Sequence, residues 1–148
     1  VLTIVKVNNE FERIADCAVI VAESAINHTD LISSAPPTFR VMANSVVGMA
    51  RDTNKALSET DTNMAIRVLS FDDTVDRFRK EIVLDVQHRT SKGELEPLVA
   101  FELLAVTRAM ERIADHCTNI CEQVIYLETG KIVRHLPDGW TTPEKPSF

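Results

Sequence analysis

Between Met64 and Val86 the apolar residues Met64, Val68, Phe71, Val75, Phe78, Ile82 and Val86 stand four, three, four, three, four and four apart. A period near 3.6 residues sustained over that length makes an amphipathic helix and excludes a strand, whose faces alternate with a period of two. The spacing predicts a helix from about Thr62 to Thr90. Three further segments have the same character. The first runs from about Val1 to Ile26, with Ile14 and Val21 seven apart, and is broken by "NHTD" and "SSAPP". The second runs from about Pro37 to Glu59, where Pro36-Pro37 suits a helix start. The last runs from about Pro97 to Thr129, with Gly130 as its stop. Thr60-Asp61 and "SKGELEP" make short connections. Long helices joined by short turns sit antiparallel, so the predicted fold is all-α, an antiparallel bundle of four long helices. Only four glycines and 5% aromatic residues agree with this. The tail "HLPDGWTTPEKPSF" holds three prolines and no period, and is expected to be irregular from about Leu136 to Phe148.

The pentapeptide Glu-Arg-Ile-Ala-Asp occurs at Glu12–Asp16 and again at Glu111–Asp115, with Glu23 and Glu122 at the same distance downstream. Over the windows 12–23 and 111–122, six of twelve residues match. The chain therefore reads as part of an internal duplication with a period of about 100 residues: the last helix of one three-helix unit at 1–27, then a complete second unit at 36–135. It opens Val1-Leu2-Thr3-Ile4-Val5, not on methionine, and is read as a fragment or a processed product that starts inside a helix.

On a wheel of about 100° per residue, Glu111, Asp115, Asn119 and Glu122 form a narrow stripe opposite Val106, Ile113, Cys117, Ile120 and Val124. Asn8, Glu12, Asp16 and Glu23 repeat it, and Asp72 and Asp76 flank the seam of the third helix. Acids one turn apart repel by a few tenths of a kcal/mol. A cation relieves that, and carboxylates from neighbouring helices supply the oxygen ligands that hard metals prefer. The plainer explanation is a solvated, acid-rich helix face. His116, beside Asp115, reads as a surface histidine hydrogen-bonded to a carboxylate. Asp85-x-x-His88 reads as a solvated helix end. The Glu-x-x-His step of di-iron bundles is missing, because Ala114 and Ile125 occupy the third position after Glu111 and Glu122.

Other function classes find little support. The net charge of −6 and the lack of a basic stripe argue against nucleic-acid binding. No run of about 18 apolar residues spans a membrane. Cys17, Cys117 and Cys121 read as reduced, buried, small apolar residues, and the dense CxxC spacing of zinc sites is absent. No nucleophile–base pair or glycine-rich phosphate loop is present, so no enzyme is expected.

The segment "ERIADHCTNICEQVIYLETGKIVRH" resembles the closing signature of the PhoU family of phosphate-signalling regulators. It carries Glu111, Arg112, Ile113, Asp115, His116, Asn119, Ile120 and Glu122, with Ala114 where glycine is usual. "VLSFDDTVDRFRKEI" resembles the family's acidic helix, and "VLTIVKVNNEFERIAD" the end of its first repeat. The resemblance implies a PhoU-like three-helix repeat in a cytoplasmic, often dimeric bundle. It implies a non-enzymatic regulator of phosphate uptake and phosphate-starvation signalling that contacts a phosphate-transporter ATPase and a sensor histidine kinase. Membrane contact would come only through partners or a fused carrier. It also implies multinuclear iron or zinc at acidic motifs: Asp72, Asp76, Glu111 and Asp115, with Asn119 and Glu122 as further candidates, and Glu12, Asp16 and Glu23 for a second cluster. The first two helices of the first repeat are absent, so that second cluster lacks its partner helix. A cytoplasmic domain of a sodium–phosphate cotransporter is the alternative. A bundle with an uncovered apolar face is expected to form a homo-oligomer.

Overall fold

A computed structural model describes residues 1–136 and 139–141. The four long helices form where the periodicity puts them: α1 (Leu2–Asn27), α3 (Pro37–Glu59), α4 (Thr62–Ser91) and α5 (Pro97–Thr129). A single turn, α2 (Leu31–Ser34), interrupts the first connection and was not expected. Its Leu31 is buried, which anchors the turn on the core.

The helix ends follow local chemistry. Pro37 and Pro97 open α3 and α5 with a ring whose missing N–H costs the first turn nothing. Asp61 caps α4 by accepting a hydrogen bond from the Met64 amide at 3.0 Å. Gly130 ends α5 in the left-handed region at φ 67°. Thr60 ends α3 in that same region at φ 52°, a strained choice for a β-branched residue.

With connections this short, α3, α4 and α5 run alternately up and down and pack on one another. The seam of α4 points inward, with Val68, Val75, Ile82 and Val86 buried and Met64 and Phe78 partly so; Phe71 stays exposed. α5 is the central element. It packs against α1, α3 and α4, and sixteen of its residues are buried. They include the whole predicted face of Val106, Ile113, Cys117, Ile120 and Val124. α1 lies along α5 in the opposite direction and buries only Val7, Cys17 and Ser24.

All three cysteines are free and buried. Burial pushes the Cys117 thiol up to about 11 and that of Cys121 up to about 12. Thr53 of α3 lies 3.6 Å from Cys121 Sγ. Burial of this kind disfavours the reactive thiolate at Cys117 and Cys121.

The tail differs from expectation. Arg134–Leu136 (β1) pairs antiparallel with Gly139–Thr141 (β2), Arg134 opposite Thr141 and Leu136 opposite Gly139. The segment expected to be irregular from Leu136 thus holds paired strand residues at Leu136 and Gly139–Thr141. The remainder of that expectation lies outside the described residues.

Candidate functional site: the acidic face of the last two long helices

α4 and α5 cross so that the acids singled out on each approach one another. Glu111 is not a wet surface acid. Its side chain is 13% exposed, with Arg79 Nε of α4 2.9 Å from one oxygen and Arg108 Nη1 3.2 Å from the other. Arg79 Nε is buried and its N–H is not aligned on the carboxylate, so the contact is an ion pair without hydrogen-bond geometry. Burial raises the Glu111 pKa, Arg79 and Arg108 oppose that, and the negative charges of Asp115 and Asp76 add to the rise. Asp115 is also raised, first by burial and next by the charge of Asp76, although its side chain keeps an open side to solvent. Asp76, Glu111 and Asp115 are therefore one electrostatic group whose resident cation is Arg79.

The other predicted residues are placed differently. Asp72 lies one turn before Asp76 on α4 and is partly buried. Asn119 donates from Nδ2 to Glu10 Oε2 at 3.0 Å. Glu122 is partly buried and lines an open pocket of about 400 Å³ with Lys6, Gln123, Tyr126 and Arg134. Glu12, Asp16 and Glu23 are exposed along α1. Among the described residues no group of three or more His, Cys, Asp or Glu side chains gathers closely enough to hold a metal ion. The oxygen donor set suits a hard cation, but as placed Glu111 is held by two guanidinium groups and the carboxylates do not converge.

Two interhelical clusters escaped the sequence. His116 is 8% exposed, not a surface residue. Its Nδ1 lies 2.7 Å from Glu10 Oε2 on α1, and its Nε2 is buried without a hydrogen-bond partner. Near the other end of α1, Ser24 Oγ donates to Glu102 Oε2 at 3.0 Å and His28 Nε2 lies 3.6 Å from Glu102 Oε1. The carboxylate expected beside His116 exists, but it comes from 106 residues away instead of from Asp115. Asp85 pairs with Arg89 at 3.4 Å, whose Nη1 donates to the Ser34 carbonyl at 2.7 Å. That helix end is tied to α2 and is not merely solvated. Arg40, Arg51 and Lys55 are exposed on α3, as are its acids Asp52 and Glu59.

Residues 39–124 match the family model for the PhoU domain. The chain is 32% identical over 141 residues to the phosphate-specific transport system accessory protein PhoU homolog 1 of Thermotoga maritima, covering 94% of this chain and 61% of that protein. The corresponding homolog of Clostridium acetobutylicum is 32% identical over 138 residues, covering 90% of this chain and 61% of its own. The chain thus spans about six-tenths of the length of these curated relatives. The crystal structure of PhoU from Pseudomonas aeruginosa superposes with a TM-score of 0.79 at 29% identity, over 87% of this chain and 63% of that one. The phosphate transport system regulatory protein PhoU of Streptococcus pneumoniae shares the fold, with a TM-score of 0.80 at 22% identity over 90% of this chain and 63% of that one. With the matched residues coinciding with the α3–α4–α5 bundle, the chain belongs to the PhoU family.

Proposed function

We propose that this chain is a non-enzymatic regulatory module of a phosphate-specific transport system, acting in the cytoplasm by protein–protein contact and as a self-associating unit. The observation that carries the reading is the PhoU-domain match over 39–124, joined by relatives named as accessory proteins of that transport system. Its partners on this reading are the transporter's ATPase subunit and a sensor histidine kinase. No helix among the described residues is long and apolar enough to cross a membrane. The relatives named above are accessory proteins and not carriers, which favours this reading over a carrier domain.

The acids Asp76, Glu111 and Asp115 are the proposed site for an iron or zinc ion, with Asp72, Asn119 and Glu122 at its margin. Such an ion would supply the positive charge that Arg79 supplies now, and Arg79 would have to withdraw to admit it. Glu12, Asp16 and Glu23 would need carboxylates from another segment.

The test of function is direct binding of the purified protein to the ATPase and to the kinase by biolayer interferometry. Saturable binding to at least one is expected, and no binding to either sinks the reading. The metal arm is separate. Metal content by mass spectrometry should rise in Arg79→Ala and fall in the Glu111→Gln/Asp115→Asn double variant. Equal, sub-stoichiometric metal in the wild type and both variants leaves Glu111 to its ion pairs with Arg79 and Arg108 and rules out the metal site.

A further inference from the structure

Gly48 stands at the midpoint of α3. A glycine inside a helix weakens it relative to alanine. Packing does not ask for one here, because a Cβ at Gly48 would meet no atom within 4 Å. The bare backbone instead opens a groove of about 500 Å³ between α3 and α4, lined by those two helices alone. Its floor is apolar: Met49 and Val68 line it and are both buried. Phe71 forms the wall that α4 contributes and is 38% exposed. It is the one residue of the α4 seam that packing leaves open to water.

Charge is confined to one end. Asp52 of α3 and Arg67 of α4 line the groove from opposite walls, and both are exposed. Neither forms an ion pair among the described residues. The two helices run antiparallel about the connection at Thr60-Asp61. That sets Asp52 level with about Leu69, and so roughly 3 Å along the axis from Arg67. Gly48 and Phe71 each lie one turn further from the connection, roughly 6 Å beyond the charged pair. Ser45 closes the far end, and its hydroxyl already donates to the Val41 carbonyl at 2.8 Å.

A concave, mainly apolar lining with a few placed polar groups is the usual form of a small-molecule site. Here the polar groups are one carboxylate and one guanidinium at the same height. Their complement is a ligand that carries an ammonium and a carboxylate on one carbon. A guanidinium takes a carboxylate through two parallel N–H donors, and a carboxylate accepts from an ammonium. The apolar length that runs from the charged pair to Gly48 and Phe71 suits an aliphatic or aromatic side chain attached to that carbon. Glycine at 48 lets such a side chain lie directly on the helix backbone.

We propose that the α3–α4 groove binds a free α-amino acid with an apolar side chain. Its carboxylate meets Arg67, its ammonium meets Asp52, and its side chain lies over Gly48 against Met49, Val68 and Phe71. Both charged groups work in contact with water, so the dissociation constant is expected on the order of 1 mM. The site is separate from the acidic face of α4 and α5, takes no residue from α1, and is independent of the transport partners.

The test is a titration of the protein with leucine, methionine and phenylalanine, followed by amide proton–nitrogen NMR spectra. Saturable shifts are expected at Gly48, Asp52, Arg67 and Phe71. Arg67→Gln and Asp52→Asn should each weaken binding by about tenfold or more, since each removes one of the two charged contacts. Gly48→Leu should abolish binding with an unchanged helical circular dichroism spectrum, because the new side chain fills the groove. N-acetylphenylalanine and phenylalanine amide, each short of one charge, should bind about tenfold or more weakly than phenylalanine. No saturable shift with any of the three amino acids overturns the proposal. Binding that survives Gly48→Leu places the ligand elsewhere and overturns the groove. An N-acetyl or amide derivative that binds as well as phenylalanine overturns the free amino acid and points to the end of a peptide.

Discussion

The two copies of the repeated pentapeptide lie on helices with opposite fates. α5 has neighbours on three sides and buries sixteen residues; α1 lies along α5 and buries three. The contrast is sharpest position by position. Ile4, Phe11, Ala15, Ala18, Val19, Ala22 and Ile26 are all exposed on α1. Their counterparts 99 residues on, Leu103, Met110, Ala114, Cys117, Thr118, Cys121 and Ile125, are all buried on α5. The apolar pattern is nearly the same, so what differs is only whether another helix covers it. The acids follow suit. Glu111 and Asp115 face α4 and are perturbed by it, whereas Glu12 and Asp16 face water. A motif written twice thus has one electrostatic environment in one place and another in the other, and its chemistry belongs to the pair of helices, not to the pentapeptide.

The largest test of that contrast is a matched truncation. Leu103→Ala should cost about 2–5 kcal/mol in urea unfolding, because it opens a cavity in the bundle. Ile4→Ala, at the equivalent position of α1, should stay within about 0.5 kcal/mol. Equal losses would show that α1's stripe is covered in solution.

Next in size is the link between the two helices. His116→Leu leaves the Glu10 carboxylate without the partner 2.7 Å away and should cost about 1–3 kcal/mol. The loss should be local: amide hydrogen exchange should quicken along α1 and stay slow in α3, α4 and the core of α5. Uniform quickening would mean that α1 is no separate region at all.

Arg79→Met should come third. It removes the cation beside Glu111 and should cost about 1 kcal/mol at neutral pH, discounted because Arg79 is partly exposed. The sign with pH follows from the raised pKa of Glu111. The folded protein holds that proton at pH values where the unfolded chain, with an ordinary carboxyl, has lost it. Stability therefore falls as pH rises from the ordinary glutamate range through the raised value. The variant should show this fall more steeply than the wild type, and parallel stability–pH curves would contradict the assignment.

Smallest is Asp115→Asn, which relieves the repulsion from Asp76 and should stabilise by a few tenths of a kcal/mol. Asp16→Asn should not measurably change the thermal midpoint of the monomeric fold. If the two shifts are alike, the environments of the repeats are not distinct.

Much of this architecture was legible before any coordinates. Period alone placed the seam of α4 and the buried face of α5, and Pro37, Pro97 and Gly130 set helix boundaries to the residue. The grouping of Asp76 with Glu111 and Asp115 came from the resemblance, because the wheel alone set the stripe of Glu111 and Asp115 opposite the buried face, where a solvated surface is the plainer reading. Arg79 was invisible as a partner, because a cation three residues after Asp76 on a polar face looks like any solvated arginine. Glu10, His116 and Asn119 could not be joined by spacing, since their contacts cross between helices about a hundred residues apart in the chain. The pairing of 134–136 with 139–141 was missed because strands of three residues have too few positions to show a period.

The position of α1 also bears on the order in which the molecule assembles. Each of α3, α4 and α5 meets its neighbour after a short turn, so little chain entropy is lost in closing those contacts. The pairs that hold α1 close loops of 78 and 106 residues instead, Ser24 with Glu102 and Glu10 with His116. Contacts of such separation come late in folding, after the surface that receives them exists. α1 is thus expected to dock last and to leave first, and a transition state with the α3–α4–α5 contacts formed and those of α1 missing is what substitutions on the two sides would reveal in refolding rates.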